Sequence, residues 1–272
     1  GFRRTYTMPM TLISGLLASL LYLLGTVFQG QSIFANKRTR NQVFSLGFMA
    51  VIAHAISAMG VIRTTTGYHF GITEISTLIT LSISLLVLIS SLRKPLENLF
   101  LGLFPLAIVS IIASLTISSN YPPTAMGLGL ASHVLLSIVA YSILTIAAMQ
   151  AIFLAFQNYQ LKHHHPSGLI TRFPPLQDME AFLFELLWVG EFLLSLGILA
   201  GFIFNEHIFA HAGIIHKTFF SILAWVVFAA LLWGRHRLGW RGQTAIRGTL
   251  IGFTLLLVGF YGSKFVIEYV LN

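Results

Sequence analysis

Cysteine is absent from this 272-residue chain. That excludes disulfides, thiolate metal sites and covalent attachment of haem through a C-x-x-C-H run. Charge is nearly as scarce. Charged residues make up 9% of the chain, against roughly 25% in an ordinary soluble domain. So little polar surface cannot solvate a globule in water, and a soluble enzyme, a disordered chain and a collagen-like fibre are all excluded. The common enzyme signatures are missing as well: no G-x-x-x-x-G-K-S/T loop, no H-E-x-x-H helix, no G-x-S-x-G elbow and no cluster of carboxylates for acid–base work. The expectation is a protein that is not an enzyme.

What the chain has is apolar length: 56% hydrophobic residues and a mean hydropathy of +0.84. A membrane span needs about 20 apolar residues. Eight runs qualify, at 10–30, 43–62, 72–92, 98–117, 128–157, 181–205, 215–233 and 245–270. The expected fold is an all-α polytopic bundle, with a short outer extension at 1–9 and a single eight-helix membrane domain at 10–272. Met8 or Met10 is the expected natural start. The first apolar run is too long for a signal peptide and no small-residue cleavage site follows it. The fifth span is long enough to project into the cytoplasm. Glycine and serine recur in the spans, as at Gly15, Gly197, Gly201 and Gly252, a pattern that lets helices approach closely in lipid. Pro105 should kink span four. No internal repeat supports a transporter built from inverted halves.

The net charge is +8. In a soluble protein this would suggest nucleic acid. Here the partner is the lipid bilayer, with basic loops meeting anionic head groups and no nucleic acid involved. The loops after spans one, three, five and seven hold eleven Lys and Arg residues, from Lys37 to Arg247; the other side holds five, Arg3, Arg4, Arg63, Lys217 and Lys264. The bias places both termini outside a bacterial cytoplasmic membrane.

Ten histidines stand out in so apolar a chain. Imidazole can ligate iron without carrying charge into the membrane. His133 lies about 8 Å below the outer edge of span five, and His216 opens span seven. Two imidazoles on separate helices at similar depth could occupy both axial positions of a haem, or each could hydrogen-bond a neighbouring helix. His54 and Glu191 sit near the middle of spans two and six. A carboxylate there costs a few kcal/mol, and His54 is a candidate partner for it, as a structural hydrogen bond or a proton relay. Glu185 lies nearer the cytoplasmic edge. His207 and His211, four apart beside Glu206, share a face if their loop is helical, which suits a metal ion; a solvated loop is the alternative. The run His163–His165 could bind metal or serve as a polar connector. His69 could cover a ligand or face water, and His236 belongs with Arg235 and Arg237 in a basic patch. Trp233 and Trp240 fit an interfacial belt. Trp225 either lines a cavity below His216 or packs.

The segments LLSLGILAGFIF (193–204), HKTFFSILAWVVFAALLWGRHRLGWRGQTAIRG (216–248) and GFTLLLVGFYGSKFVIE (252–268) resemble the cytochrome c assembly superfamily of CcsA, CcmC and HemX, most closely its YpjD-like inner-membrane branch. SHVLLSIVAYSILTIAAMQA (132–151), FPPLQDMEAFLFELLWVG (173–190) and TTGYHF (65–70) support the likeness, which is strongest over 128–268. The resemblance implies haem handling at the outer face of the membrane, with non-covalent haem b. His133 matches the family's outer histidine in H-x-x-x-S-x-x-A-Y, and His216 opens the H-K-T segment of the branch. The tryptophan-rich W-x-W-D segment of the assembly enzymes is absent, residues 206–215 standing in its place, and Trp233 stands where CcsA has a histidine. The implied activity is therefore haem binding or trafficking, with Arg63 or Lys217 near the propionates. Two other readings stay open. One is a small-molecule permease, suggested by Pro105, His54 and Glu191. The other is a HemX-like regulatory subunit acting on another membrane or cytochrome-biogenesis protein.

Overall fold

The computed structural model describes residues 2–117, 122–163, 174–204 and 212–270. Helix dominates: α1 (Phe2–Phe34), α2 (Arg40–Ile62), α3 (Ile72–Ser91), α4 (Phe100–Thr116), α5 (Leu128–Lys162), α6 (Leu176–Phe204), α7 (Ala212–Leu238) and α8 (Gln243–Phe265). A two-stranded hairpin, β1 (Arg63–Thr64) and β2 (Gly67–Tyr68), joins α2 to α3. Among the described residues eight helices are long and apolar enough to cross a membrane, as the hydropathy pattern requires. The expected extension ahead of Met10 forms the first turns of α1, which runs on through Pro9. Likewise α4 continues through Pro105. The 35 residues of α5 extend about 52 Å, against a hydrocarbon core of about 30 Å.

The chain forms two compact units, Gly1–Ala125 and Met126–Asn272. In the first, α1 packs on α2 and α4, and α3 lies between α2 and α4 to close a four-helix ring. Its surface is apolar, with Leu16, Leu20, Ile52 and Val109 exposed, while Tyr22, His54, Thr77, Thr80 and Ser110 are buried. This inversion follows from the solvent. Lipid gives no hydrophobic drive between helices, so close packing and interhelical hydrogen bonds hold them. Phe100 stacks on Phe104 at 4.6 Å, and Tyr22 leans on Phe104 at 5.1 Å. One end is clasped by charge: Arg40 pairs with Glu97 and donates to the Ser91 carbonyl at 3.0 Å.

In the second unit α5 packs on α6 and α8, and α7 closes the ring between α6 and α8. Leu144, Leu183, Leu187, Ala224 and Phe228 form its core. The α7–α8 turn explains the G-W-R-G run at 239–242. Gly239 and Gly242 take left-handed backbone, φ +69° and +64°, which costs glycine nothing. The Trp240 indole then folds back onto Gly234, where a Cβ would overlap it. Arg235 locks the turn, donating to Glu180 at 2.7 Å and to the Trp240 carbonyl at 3.1 Å, with its guanidinium 4.4 Å over Phe184. These conspicuous residues build the fold. Gly234→Ala should therefore lower stability by about 1–3 kcal/mol, the usual cost of overpacking. Thermal unfolding in detergent measures it, and the double variant Gly234→Ala/Trp240→Ala should lose less than the sum of the singles.

Candidate functional site

On α5 the residues His133, Ser137 and Tyr141 recur every four positions and share one helical face. Opposite them α6 presents Gly197 and Gly201, also four apart. A Cβ on Gly201 would stand 3.0 Å from His133 Cε1, and one on Gly197 would stand 3.4 Å from Ser137 Oγ. The missing side chains let α5 approach until His133 rests on the backbone of α6. There Nδ1 lies 2.8 Å from the Gly197 carbonyl oxygen. A carbonyl only accepts, so Nδ1–H donates and Nε2 keeps its lone pair. Metal-ligating histidines are commonly oriented in this way, through the nitrogen that does not bind the metal.

α7 completes the surroundings with Ile214, Lys217, Thr218 and Ser221, and α6 adds Leu194, Ile198 and Phe202. Together these residues line a small cleft of about 90 Å³. It presents apolar walls, one imidazole, one ammonium and several hydroxyls. Gly201→Ala should push the imidazole off its seat by a few tenths of an ångström. Ligand affinity should fall roughly tenfold, the scale of outer-shell changes at metal sites, and titration of the purified variant reads it.

The remaining predicted residues are placed as follows. His216 does not line this cleft. Its Nε2–H donates to the Val258 carbonyl on α8 at 3.3 Å, and its ring lies 4.6 Å from Phe220. A Cβ on Gly262 would stand 3.2 Å from Nε2. His216 is thus seated on α8 as His133 is on α6, with Nδ1 carrying the lone pair. His54 is fully buried in the first unit between Tyr22 Oη and Thr77 Oγ1, each at 2.9 Å. Both ring nitrogens are taken, so the expected pairing of His54 with Glu191 does not form. Glu191 is 8% exposed and neither carboxyl oxygen has a hydrogen-bond partner. His69 Nδ1 lies 3.4 Å from Glu74, a buried residue in the first turn of α3, and its Nε2 has no partner. His163 Nδ1–H donates to the Tyr159 carbonyl at 3.0 Å. Trp225 donates to Ser195 Oγ at 2.7 Å and lies outside this cleft, lining a neighbouring apolar recess of about 270 Å³ with Ile198, Leu199, Phe202 and Ile222. His207 and His211 lie outside the described residues, as do His164 and His165. Among the described residues no group of three or more His, Asp or Glu side chains gathers at one place.

Tyr22 and Thr77 as partners of His54, Glu74 as partner of His69, and Gly201 as the seat of His133 all escape sequence reasoning. Only the Gly197–Gly201 spacing left a signal, as a small-residue stripe on one face.

Among the described residues, eight helices long and apolar enough to cross a membrane, with a small cleft between α5, α6 and α7, define a multi-pass helical membrane protein. The family model described as Cytochrome C assembly protein matches residues 14–271, and the chain belongs to that family. It is 28% identical over 221 residues to the Inner membrane protein YpjD of Escherichia coli K12, covering 80% of this chain and 83% of that one. It is also 25% identical to the Protein HemX of Brevibacillus brevis, over 49% of each chain. The Cytochrome c biogenesis protein CcsA of Prochlorococcus marinus AS9601 is 23% identical over 66% of this chain and 63% of its own. No solved structure matches. The span pattern and the inner-membrane relative make this a multi-pass protein of the bacterial inner membrane.

Proposed function

We propose that this chain is a haem-handling protein of the cytochrome c assembly family. It takes haem b at the cleft of the second unit, with His133 on the iron and His216 supplying the second axial position. The observation that carries this reading is the fixed tautomer of His133. Its Nδ1–H is held by the Gly197 carbonyl, so Nε2 is the electron-pair donor beside the cleft, as an axial ligand requires. What the lining offers such a group is one imidazole with a free lone pair, apolar side chains, and the Lys217 ammonium for a carboxylate. The reading requires His216, which bonds the Val258 carbonyl and does not line the cleft, to turn toward it. Bound haem supplies an iron that exchanges axial ligands and electrons; the chain's residues bind it, orient it and keep water from it. CcsA carries cytochrome c biogenesis in its name, a process that consumes haem. The loop charges favour both termini outside, and that orientation supports a cleft opening toward the outer face.

The test is a haem titration of the full chain in detergent. The expected result is a Soret band with the sharp α and β bands of six-coordinate low-spin iron. A preparation that stays colourless with haem supplied overturns the reading.

One observation favours a second reading, a permease: the buried, unpartnered carboxyl of Glu191, since such groups mark solute and proton paths in membranes. Flux in proteoliposomes that is lost in Glu191→Gln and indifferent to haem would establish it.

A further inference from the structure

Inside the first unit α3 turns a row of hydroxyls inward, Thr73, Thr77, Thr80 and Ser84, none more than 7% exposed, and Glu74 stands beside them at 4%. Positions three or four apart share one helix face. At the α2–α3 end His69 and Glu74 meet, Nδ1 3.4 Å from Oε1, and Thr73 donates to Glu74 Oε2 at 3.1 Å. His69 lies between the spans Arg40–Ile62 and Ile72–Ser91, and 18% of its side chain is exposed, so the pair opens to water. Thr77 lies one turn deeper than Glu74, a spacing of about 5–6 Å between Cβ atoms that one water bridges. Its Oγ1 is 2.9 Å from His54 Nε2. Toward the other end the core is sealed by Val87, Leu88, Phe100 and Phe104, none more than 1% exposed. α4 adds no ionisable side chain.

The three in-span histidines have neighbours of different kinds. Gly197 and Val258 offer carbonyls, which only accept, so His133 and His216 each have one nitrogen fixed as a donor. His54 meets the hydroxyls of Tyr22 and Thr77, which both donate and accept. Either of its nitrogens can carry the proton, and an imidazolium donating to both oxygens is equally satisfied. Two buried atoms of this core, His69 Nε2 and Ser57 Oγ, have no hydrogen-bond partner, and Ser57 stands one turn from His54 on α2. Buried polar atoms of this sort are met by internal water.

We propose that the first unit contains a proton-access path, through which His54 takes protons from the α2–α3 end by way of His69, Glu74 and Thr77. In one transfer Thr77 passes its hydroxyl proton to His54 Nε2 and receives another from the Glu74 carboxyl across a bridging water. Glu74 is recharged from solvent through His69. The product is a neutral Thr77 and a His54 imidazolium, and no oxidant or reductant takes part. His54 is thereby a proton-binding site inside the membrane that answers to one side only. The loop charges favour the outside for that side. The path is independent of the haem reading, which concerns the other unit.

The test is hydrogen–deuterium exchange of the His54 ring N–H, read by nitrogen-15 NMR of the histidine-labelled full chain in nanodiscs. The ring is 0% exposed, yet its proton should exchange much faster than the α2 backbone amides around it. Glu74→Gln and Thr77→Val should each slow that exchange by at least roughly tenfold, well inside the roughly 10²–10⁴ that a positioned acid–base group contributes. Thr80→Val is the control. It deletes the bond between Thr80 and Ser110, in the same core but off the path, and should leave the rate unchanged. A His54 proton that exchanges as slowly as the surrounding amides overturns the proposal, as does a rate indifferent to Glu74→Gln. Equal effects of Thr80→Val and Thr77→Val overturn it too, since loosening of the bundle then accounts for both. The wild-type rate and Glu74→Gln decide the matter if Thr77→Val fails to fold.

Discussion

Replacing His133 with alanine should erase the imidazole-ligated haem spectrum and weaken haem binding by at least roughly a hundredfold. Loss of an outer-shell partner alone costs 10–100-fold at metal sites, and His133 is the ligand itself in the proposed arrangement. The fold should survive. His133 contributes one hydrogen bond to the Gly197 carbonyl, and such bonds average about 0.6 kcal/mol inside membranes. Free imidazole added to His133→Gly should restore the sharp bands, because the truncated side chain leaves a space of imidazole size next to the Gly197 carbonyl. His216→Ala discriminates further. If His216 fills the second axial position, the Soret band persists while the low-spin bands give way to a broad high-spin spectrum. If its bond to Val258 is all it contributes, the spectrum is unchanged and the site is a single-histidine one. An unaltered spectrum in His133→Ala would remove the cleft from consideration.

His54→Ala should be the most damaging substitution in the first unit. The ring joins Tyr22 on α1 to Thr77 on α3 at 2.9 Å on either side and is 0% exposed. Truncation leaves two buried hydroxyls unpaired and a void where the ring was. The expected loss is about 2–4 kcal/mol, against about 1 kcal/mol for Tyr22→Phe, which deletes only one bond. Denaturant midpoints in detergent compare the two. The folded fraction of His54→Ala should still give the wild-type haem spectrum, because the cleft belongs to the other unit. That contrast separates a histidine that holds helices together from one that holds a ligand. A His54→Ala protein as stable as wild type would show that the bonds from Tyr22 and Thr77 carry no weight.

Hydropathy located every span. The third was expected at 72–92 and is Ile72–Ser91; the fourth was expected at 98–117 and its helix ends at Thr116. The errors lie at polar ends. The fifth span was expected to end at 157, but α5 continues to Lys162. The sixth was expected from 181, yet α6 begins at Leu176. Hydropathy stops where the side chains turn polar, but the backbone ladder needs only residues that tolerate helix, and Gln, Lys, Asp and Glu do. The site was half legible. His133 stood out by type and depth, and by the H-x-x-x-S-x-x-A-Y pattern. The seat that Gly201 provides, 68 positions away, did not.

From its sequence alone this chain is bound to be an eight-span helical membrane protein of the cytochrome c assembly family. Scarce charge and apolar runs of span length admit no other solvent, and each helix satisfies its own backbone wherever it lies. Which histidine does what depended on tertiary structure. His54, His133 and His216 are alike as in-span imidazoles. They diverge because a hydrogen-bond partner is set by which helix packs alongside and by where a glycine lets it come close. Two hydroxyls consume both nitrogens of His54, a carbonyl on α6 frees Nε2 of His133 beside a cleft, and a carbonyl on α8 turns His216 to a different seam.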